Sequence, residues 1–144
     1  MNSLYNILKR EVILMISLFL VTKIVFGQLY NFKKVSVEDG LSSPGVYSMC
    51  EGPKGKLWIG LEGEGVNVYD GWEVVQYSEH FIGTNIRAIF KGSSNHMFFG
   101  SEHEGLAILS NGSLKRITID DGLFVNHIRA ITEDKNGLIW LATL

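Results

Sequence analysis

The chain has 144 residues, 46% of them hydrophobic and 11% aromatic, which is too apolar for a disordered segment and about the length of one domain. Thirteen lysines and arginines stand against fifteen aspartates and glutamates, a formal charge of −2. No basic excess and no Lys or Arg cluster marks the body of the chain, so nucleic acid is not an expected partner.

Residues 1–27 read as a signal peptide. Lys9 and Arg10 form a positive start, Val12 to Val21 is an apolar run broken only by Ser17, and Val25, Phe26 and Gly27 before Gln28 form the expected cleavage site. An uncleaved anchor is the alternative, yet the run extended to Phe26 reaches 15 residues, short of the roughly 20 a spanning helix needs. No cysteine near the junction supports a lipidated start. Removing Lys9, Arg10, Lys23 and Glu11 leaves ten bases and fourteen acids, a formal charge of −4. Cys50 is the single cysteine, so no intrachain disulfide can form. Its place in an apolar run predicts a buried small hydrophobe.

Residues 28–45 read as a lead-in strand and loop before the first unit, which occupies 46–85. Val46 to Glu51 predicts a strand, and Gly52 to Gly55 a turn. Lys56 to Leu61 alternates, with Leu57 and Ile59 on one face and Trp58 and Gly60 on the other. Glu62 to Gly65 is a second turn, Val66 to Tyr69 a third strand, and Trp72 to Tyr77 a fourth. Asp70-Gly71 and Asn111-Gly112 are the dipeptides that two-residue primed turns prefer.

The unit then repeats. KGKLWIG at Lys54 to Gly60 returns as NGLIWLA at Asn136 to Ala142, with NHMFFG at Asn95 to Gly100 between them. Trp58, Phe98 and Trp140 therefore mark one position at spacings of 40 and 42. Asp39-Gly40-Leu41 recurs as Asp121-Gly122-Leu123, and Val46, Ile86 and Ile128 stay in phase, as do Met49, Ile89 and Ile131. Gly60 and Gly65 reappear as Gly100 and Gly105. A period near forty in a β-rich unit is that of a propeller blade. The expected fold is all-β, a partial β-propeller with complete four-stranded blades at 46–85 and 86–127 and an incomplete third at 128–144, preceded by the signal-peptide helix.

Repetition at the same strand position assigns Trp58, Phe98 and Trp140 to packing between blades rather than to a sugar-stacking platform, since a binding site needs its residues once. Gly60 and Gly100 fall inside strands, where a missing side chain lets a neighbouring sheet approach. GEGVNVYDG lacks the context of a phosphate loop. Glu102, His103 and Glu104 are the one local cluster of metal-capable groups, and their turn position predicts a solvated acidic turn, not a metal site. His80 and His96 read as surface turn residues, and His127 reads as a strand residue between Asn126 and Ile128 with no helical dimerisation context. Ser42 and Ser43 lack a GxSxG frame, Cys50 has no evident base, and Glu51 and Glu133 recur by register. No catalytic residue, metal ligand, cofactor or ligand-binding residue is assigned.

The stretch DGLSSPGVYSMCEGPKGKLWIGLEGEGVNVYDG, echoed by DGLFVNHIRAITEDKNGLIWLAT, resembles the two-component regulator propeller repeat over Val35 to Leu144. Gly52-Pro53 departs from the usual Asp, Leu61 from a common Thr, and the middle copy lacks both the Trp and the Asp-Gly-Leu. The resemblance implies the periplasmic sensor region of a hybrid two-component histidine kinase. It also implies a ligand derived from polysaccharide or another small molecule, a homodimer in the parent protein, and a membrane helix and kinase beyond these residues. The chain is expected to be the amino-terminal portion of such a sensor, exported and non-catalytic, with ligand binding at a propeller mouth. The rival expectations are a piece of a secreted propeller lyase or glycosidase acting on polysaccharide, and a structural or adhesive β-repeat module.

Overall fold

The computed structural model describes residues 2–22, 30–77, 79–81 and 84–144. The chain divides into two units, Met1–Lys34 and Val35–Leu144. The first contains α1, Asn2–Thr22, which carries the apolar run Val12 to Val21. No described helix is long and apolar enough to cross a membrane. The expected cleavage site at Gly27/Gln28 lies outside the described residues.

Among the described residues, the second unit holds ten strands in three antiparallel sheets. The first sheet is β1 (Val46–Glu51), β2 (Leu57–Leu61), β3 (Val66–Tyr69) and β4 (Val74–Gln76) in sequential order. The second repeats it with β5 (Ile86–Lys91), β6 (Met97–Ser101), β7 (Leu106–Ser110) and β8 (Ser113–Ile117). The third pairs β9 (Ile128–Glu133) with β10 (Ile139–Thr143). Consecutive four-stranded meanders packed face to face make a partial all-β propeller.

Period-two alternation gives each sheet two apolar faces. Trp58, Val66 and Val68 of the first sheet close on Ile89, Met97, Phe99 and Ala107 of the second. The Trp58 ring lies 4.5 Å from Tyr77 and 5.6 Å from Phe99. On the far side of the second sheet, Phe98 and Leu106 pack with Ile128 and, around them, Ile131 and Leu141. Leu57, Ile59 and Leu61 face away from the second sheet and are covered by Leu41. The third copy of the aromatic, Trp140, is 60% exposed because no described sheet follows it.

The strand glycines set how closely the sheets approach. A Cβ on Gly60 would lie 2.6 Å from the Ile86 carbonyl oxygen, and one on Gly100 2.6 Å from Ile128 Cγ2. The innermost strand of each following sheet therefore presses directly on the glycine of the one before. Gly65 and Gly105 have φ of +71° and +75° and donate their N–H to the carbonyls of Thr84 and Asn126, joining each β2–β3-type turn to the segment that enters the next sheet.

Three local expectations need correction. Asn111 and Gly112, at φ +51° and +81°, make the predicted primed turn, but Asp70-Gly71 does not. Asp70 Oδ1 accepts the N–H groups of Trp72 and Glu73, a side-chain turn that lengthens the loop to four residues, so β4 begins at Val74 and Trp72 is 93% exposed. Cys50 is half-buried rather than buried, at the margin of the core between the first two sheets.

The Asp-Gly-Leu segments turn out to be capped 3-10 turns. Ser36 and Asp39, and again Thr118 and Asp121, form reciprocal capping boxes around Val37–Asp39 and Ile119–Asp121, each ended by a left-handed glycine, Gly40 or Gly122. The leucine that follows is thereby aimed into the core: Leu41 is buried, and Leu123 packs on the cluster around Phe98. Phe81 fills the corresponding place in the middle copy, fully buried 5.0 Å from Phe99.

Candidate functional site: the inner rim of the sheets

The first strand of every sheet begins with a bulge. Val46 pairs with Leu61 and Ser48 with Gly60, which leaves Tyr47 as the extra residue. Arg87 is extra in the second sheet and Arg129 in the third. A bulge re-aims one side chain out of the pleat, so Tyr47, Arg87 and Arg129 form a series along the inner rim at the same spacings of 40 and 42 as the core aromatic.

A polar network grows from this series. The Arg87 guanidinium lies 3.9 Å over the Tyr47 ring, a cation–π contact between the first two sheets. Its Nη2 donates to Glu102 Oε2 at 2.9 Å, and Asn85 Nδ2 donates to the same oxygen at 2.6 Å. Asn85 Oδ1 in turn accepts the Gly63 N–H at 2.6 Å, tying the first sheet's turn to the second sheet's entry. Arg87, followed by Asn85, holds the Glu102 carboxyl below the usual carboxylate range. The hydrogen bond to Glu62 raises the pKa of the Tyr47 hydroxyl, and Glu102 raises that of Arg87.

The next step around the rim is less complete. His127 stands where Asn85 does one unit earlier, and His103 where Gly63 does; their rings meet edge to face at 6.3 Å. His127 Nε2 and Arg87 Nε are buried with no hydrogen-bond partner among the described residues. Leu144 occupies the position of Glu102, so the exposed Arg129 has no carboxylate at the place where Arg87 finds one.

The sequence-selected residues separate accordingly. Glu102, His103 and Glu104 lie in a turn with His103 and Glu104 exposed, and their groups have partners within it and beyond: Glu102 pairs with Arg87, Glu104 with Arg116, and His103 turns to His127. No group of three metal-capable side chains converges among the described residues. His80 is exposed in its turn, and its carbonyl accepts from Arg116; His96 is half-buried with Nδ1 3.1 Å from the Ser94 hydroxyl. His127 precedes β9 rather than lying within it. Ser42 Oγ accepts from Asn67 Nδ2, and Ser43 Oγ accepts the Gly45 N–H, so both hydroxyls close the lead-in loop. Glu133 reaches back to the second sheet, accepting the Ser93 N–H at 2.7 Å, whereas Glu51 is exposed.

The rim residues escaped the sequence reading although a signal was present. The apolar pairs Val46/Met49, Ile86/Ile89 and Ile128/Ile131 are three apart, while residues on one face of a regular strand are an even number apart. An odd interval shared by three copies requires an inserted residue, and that residue is the rim side chain. Chemically, the rim offers an aromatic ring, guanidinium groups, carboxylates and an amide, a set suited to hydrogen-bonding a hydroxylated ligand. It places no nucleophile against a base.

The two component regulator propeller model matches residues 40–63 and 122–144. No curated protein matches the chain. Among solved structures, it superposes with a TM-score of 0.68 and 30% identity on the extracellular domain assigned to a hybrid two component system of B. thetaiotaomicron, covering 76% of this chain and 16% of that one. A second such extracellular domain from that organism gives 0.58 and 26%, covering 68% and 14%. PorZ, a surface component of the type-IX secretion system of Porphyromonas gingivalis, gives 0.61 at 19% identity, covering 72% and 17%, a likeness of fold alone. The chain thus spans about a sixth of the length of the structures it matches.

Proposed function

We propose that this chain, which carries repeats of the two component regulator propeller family, is part of the ligand-sensing region of an exported sensor, non-catalytic and acting through a kinase elsewhere in the parent protein. The observation that carries the reading is the match at 30% identity to an extracellular domain of a hybrid two component system. The leader at residues 1–27 supports export to the periplasm or its membrane face. The inner rim is the proposed ligand surface, and its hydroxyl-directed chemistry favours a glycan-derived ligand. In the parent protein, binding there would bias the arrangement of a homodimer.

The test is a glycan array probed with the exported chain. Binding that is lost in both Arg87→Ala and Arg129→Ala supports the reading. Release of new reducing ends from the bound glycan would replace it with the secreted-enzyme reading. Retention of the whole leader in the cytoplasm, read with a fused export-dependent alkaline phosphatase, would remove the sensor location.

A further inference from the structure

The sequence holds two Asn-Gly dipeptides, Asn111-Gly112 and Asn136-Gly137, and all four residues are exposed. Asparagine before glycine is self-reactive, because the glycine nitrogen can attack the side-chain carbonyl carbon with no Cβ of its own residue in the way. Whether it does so depends on how firmly the fold holds that nitrogen.

The two turns hold it differently. Between β9 and β10, Gly137 donates its N–H to the Asp134 carbonyl at 3.0 Å, and Asp134 Oδ1 accepts the N–H groups of Asn136 and Leu138 at 2.8 and 3.1 Å. Carrying the Gly137 nitrogen onto Asn136 Cγ swings its peptide away from that carbonyl and pulls on the bonds at either side. Between β7 and β8, Asn111 and Gly112 are the two residues that join the paired Ser110 and Ser113. The Gly112 N–H has no hydrogen-bond partner among the described residues, and a Cβ on Gly112 would meet nothing within 4 Å. β8 is the outermost strand of its sheet, so this hairpin tip opens without disturbing the core.

We propose that Asn111 is a site of spontaneous conversion to isoaspartate in the folded protein, and that the hydrogen bonds of its own turn protect Asn136. The Gly112 nitrogen bonds to Asn111 Cγ while the Cγ–Nδ2 bond breaks, and the proton lost by the attacking nitrogen leaves, through solvent, with the departing ammonia. Water is the co-reactant: it opens the resulting succinimide at either carbonyl, giving aspartate or isoaspartate. Isoaspartate adds one backbone carbon to a two-residue turn and one negative charge at its tip, so the Ser110–Ser113 pair no longer closes as before. The inference rests on neither the rim nor the sensor reading.

The full chain, kept in mildly alkaline buffer and sampled over time, tests it. Peptide mass spectrometry locates each amide-to-acid exchange, and an isoaspartate-specific methyltransferase labels the product. Because the dipeptide is the same at both sites, its intrinsic reactivity cancels in the comparison. Conversion should be at least about tenfold faster at Asn111 than at Asn136 in the folded chain. In concentrated urea, where neither turn survives, the two rates should come within about threefold of each other. Asp134→Ala, which removes the carboxylate from the β9–β10 turn, should speed conversion at Asn136 at least about threefold. No isoaspartate at residue 111 of the folded chain, equal folded-state rates, a ratio unchanged by urea, or an unaltered Asn136 rate in Asp134→Ala would each overturn the proposal.

Discussion

Trp140 donates its indole N–H to Asp134 at 3.0 Å, while the same carboxylate accepts the backbone N–H groups of Asn136 and Leu138. One unit-pair earlier, Gly52 stands where Asp134 does and Trp58 where Trp140 does. There the indole N–H is buried without an acceptor, and the ring has moved over the glycine: a Cβ on Gly52 would lie 2.2 Å from Trp58 Nε1. The same aromatic position is therefore held by a hydrogen bond in one copy and by packing in another.

Restoring the repeat's aspartate should fail as a stabilising change. Gly52→Asp must displace a ring that is 6% exposed and wedged against Tyr77 and Phe99. Overpacking of this kind costs about 1–3 kcal/mol. Urea unfolding should show a lower midpoint, and a raised midpoint would mean that the indole finds the new carboxylate after all.

The two tryptophans should differ sharply when truncated. Trp58→Ala removes a ring buried between two sheets and should cost about 3–5 kcal/mol. Trp140→Ala removes a ring that is 60% exposed, and should stay within about 1 kcal/mol. Equal losses in denaturant titrations would show that the third sheet's outer face is covered in solution.

The strand glycines should rank by what they meet. An added methyl at Gly60 strikes a backbone carbonyl, that of Ile86, which cannot yield without moving a strand. At Gly100 the obstacle is the Ile128 side chain and the facing Ala88 Cβ. Gly60→Ala and Gly100→Ala should each cost about 1–3 kcal/mol, with Gly60→Ala the worse. Thermal unfolding of the two variants checks the order.

Acid should loosen the contacts between sheets. Arg87 and then Asn85 lower the pKa of Glu102, and the Ser93 hydroxyl and then its N–H lower that of Glu133. A carboxyl whose folded pKa lies below its unfolded value near 4.3 stabilises the fold above that pH. The contribution disappears as pH falls through the folded value. Stability should therefore be flat from about pH 7 to 5 and decline below about pH 4. Glu102→Gln and Glu133→Gln should each flatten the acid limb. A decline already complete above about pH 5 would overturn the assignment to these carboxylates.

Much of the fold was legible because the repeat is written in local chemistry. Alternation placed Trp58 and Gly60 on one face of a strand and Ile59 on the other, and turn residues bounded the strands. Where one side chain could outcompete a turn preference, local reading failed: Asp70 caps its own loop and delays β4 past the exposed Trp72. The rim was partly legible, since an odd interval between Ile86 and Ile89 already demands a bulge at Arg87. Its partners were not. Glu102 is 15 residues from Arg87, and the Tyr47 ring belongs to the preceding sheet.

The amino-acid order alone determined the period, the antiparallel strands and the faces they would bury, because spacing along a chain fixes which side chains share a face. Which face meets which neighbour was decided only by three-dimensional packing. Glycine at 60 and 100 lets the next inner strand close in, and that approach sets Arg87 over Tyr47 and Glu133 against Ser93. Contacts between units depend on the distance and angle at which sheets stack, a quantity that no single strand encodes.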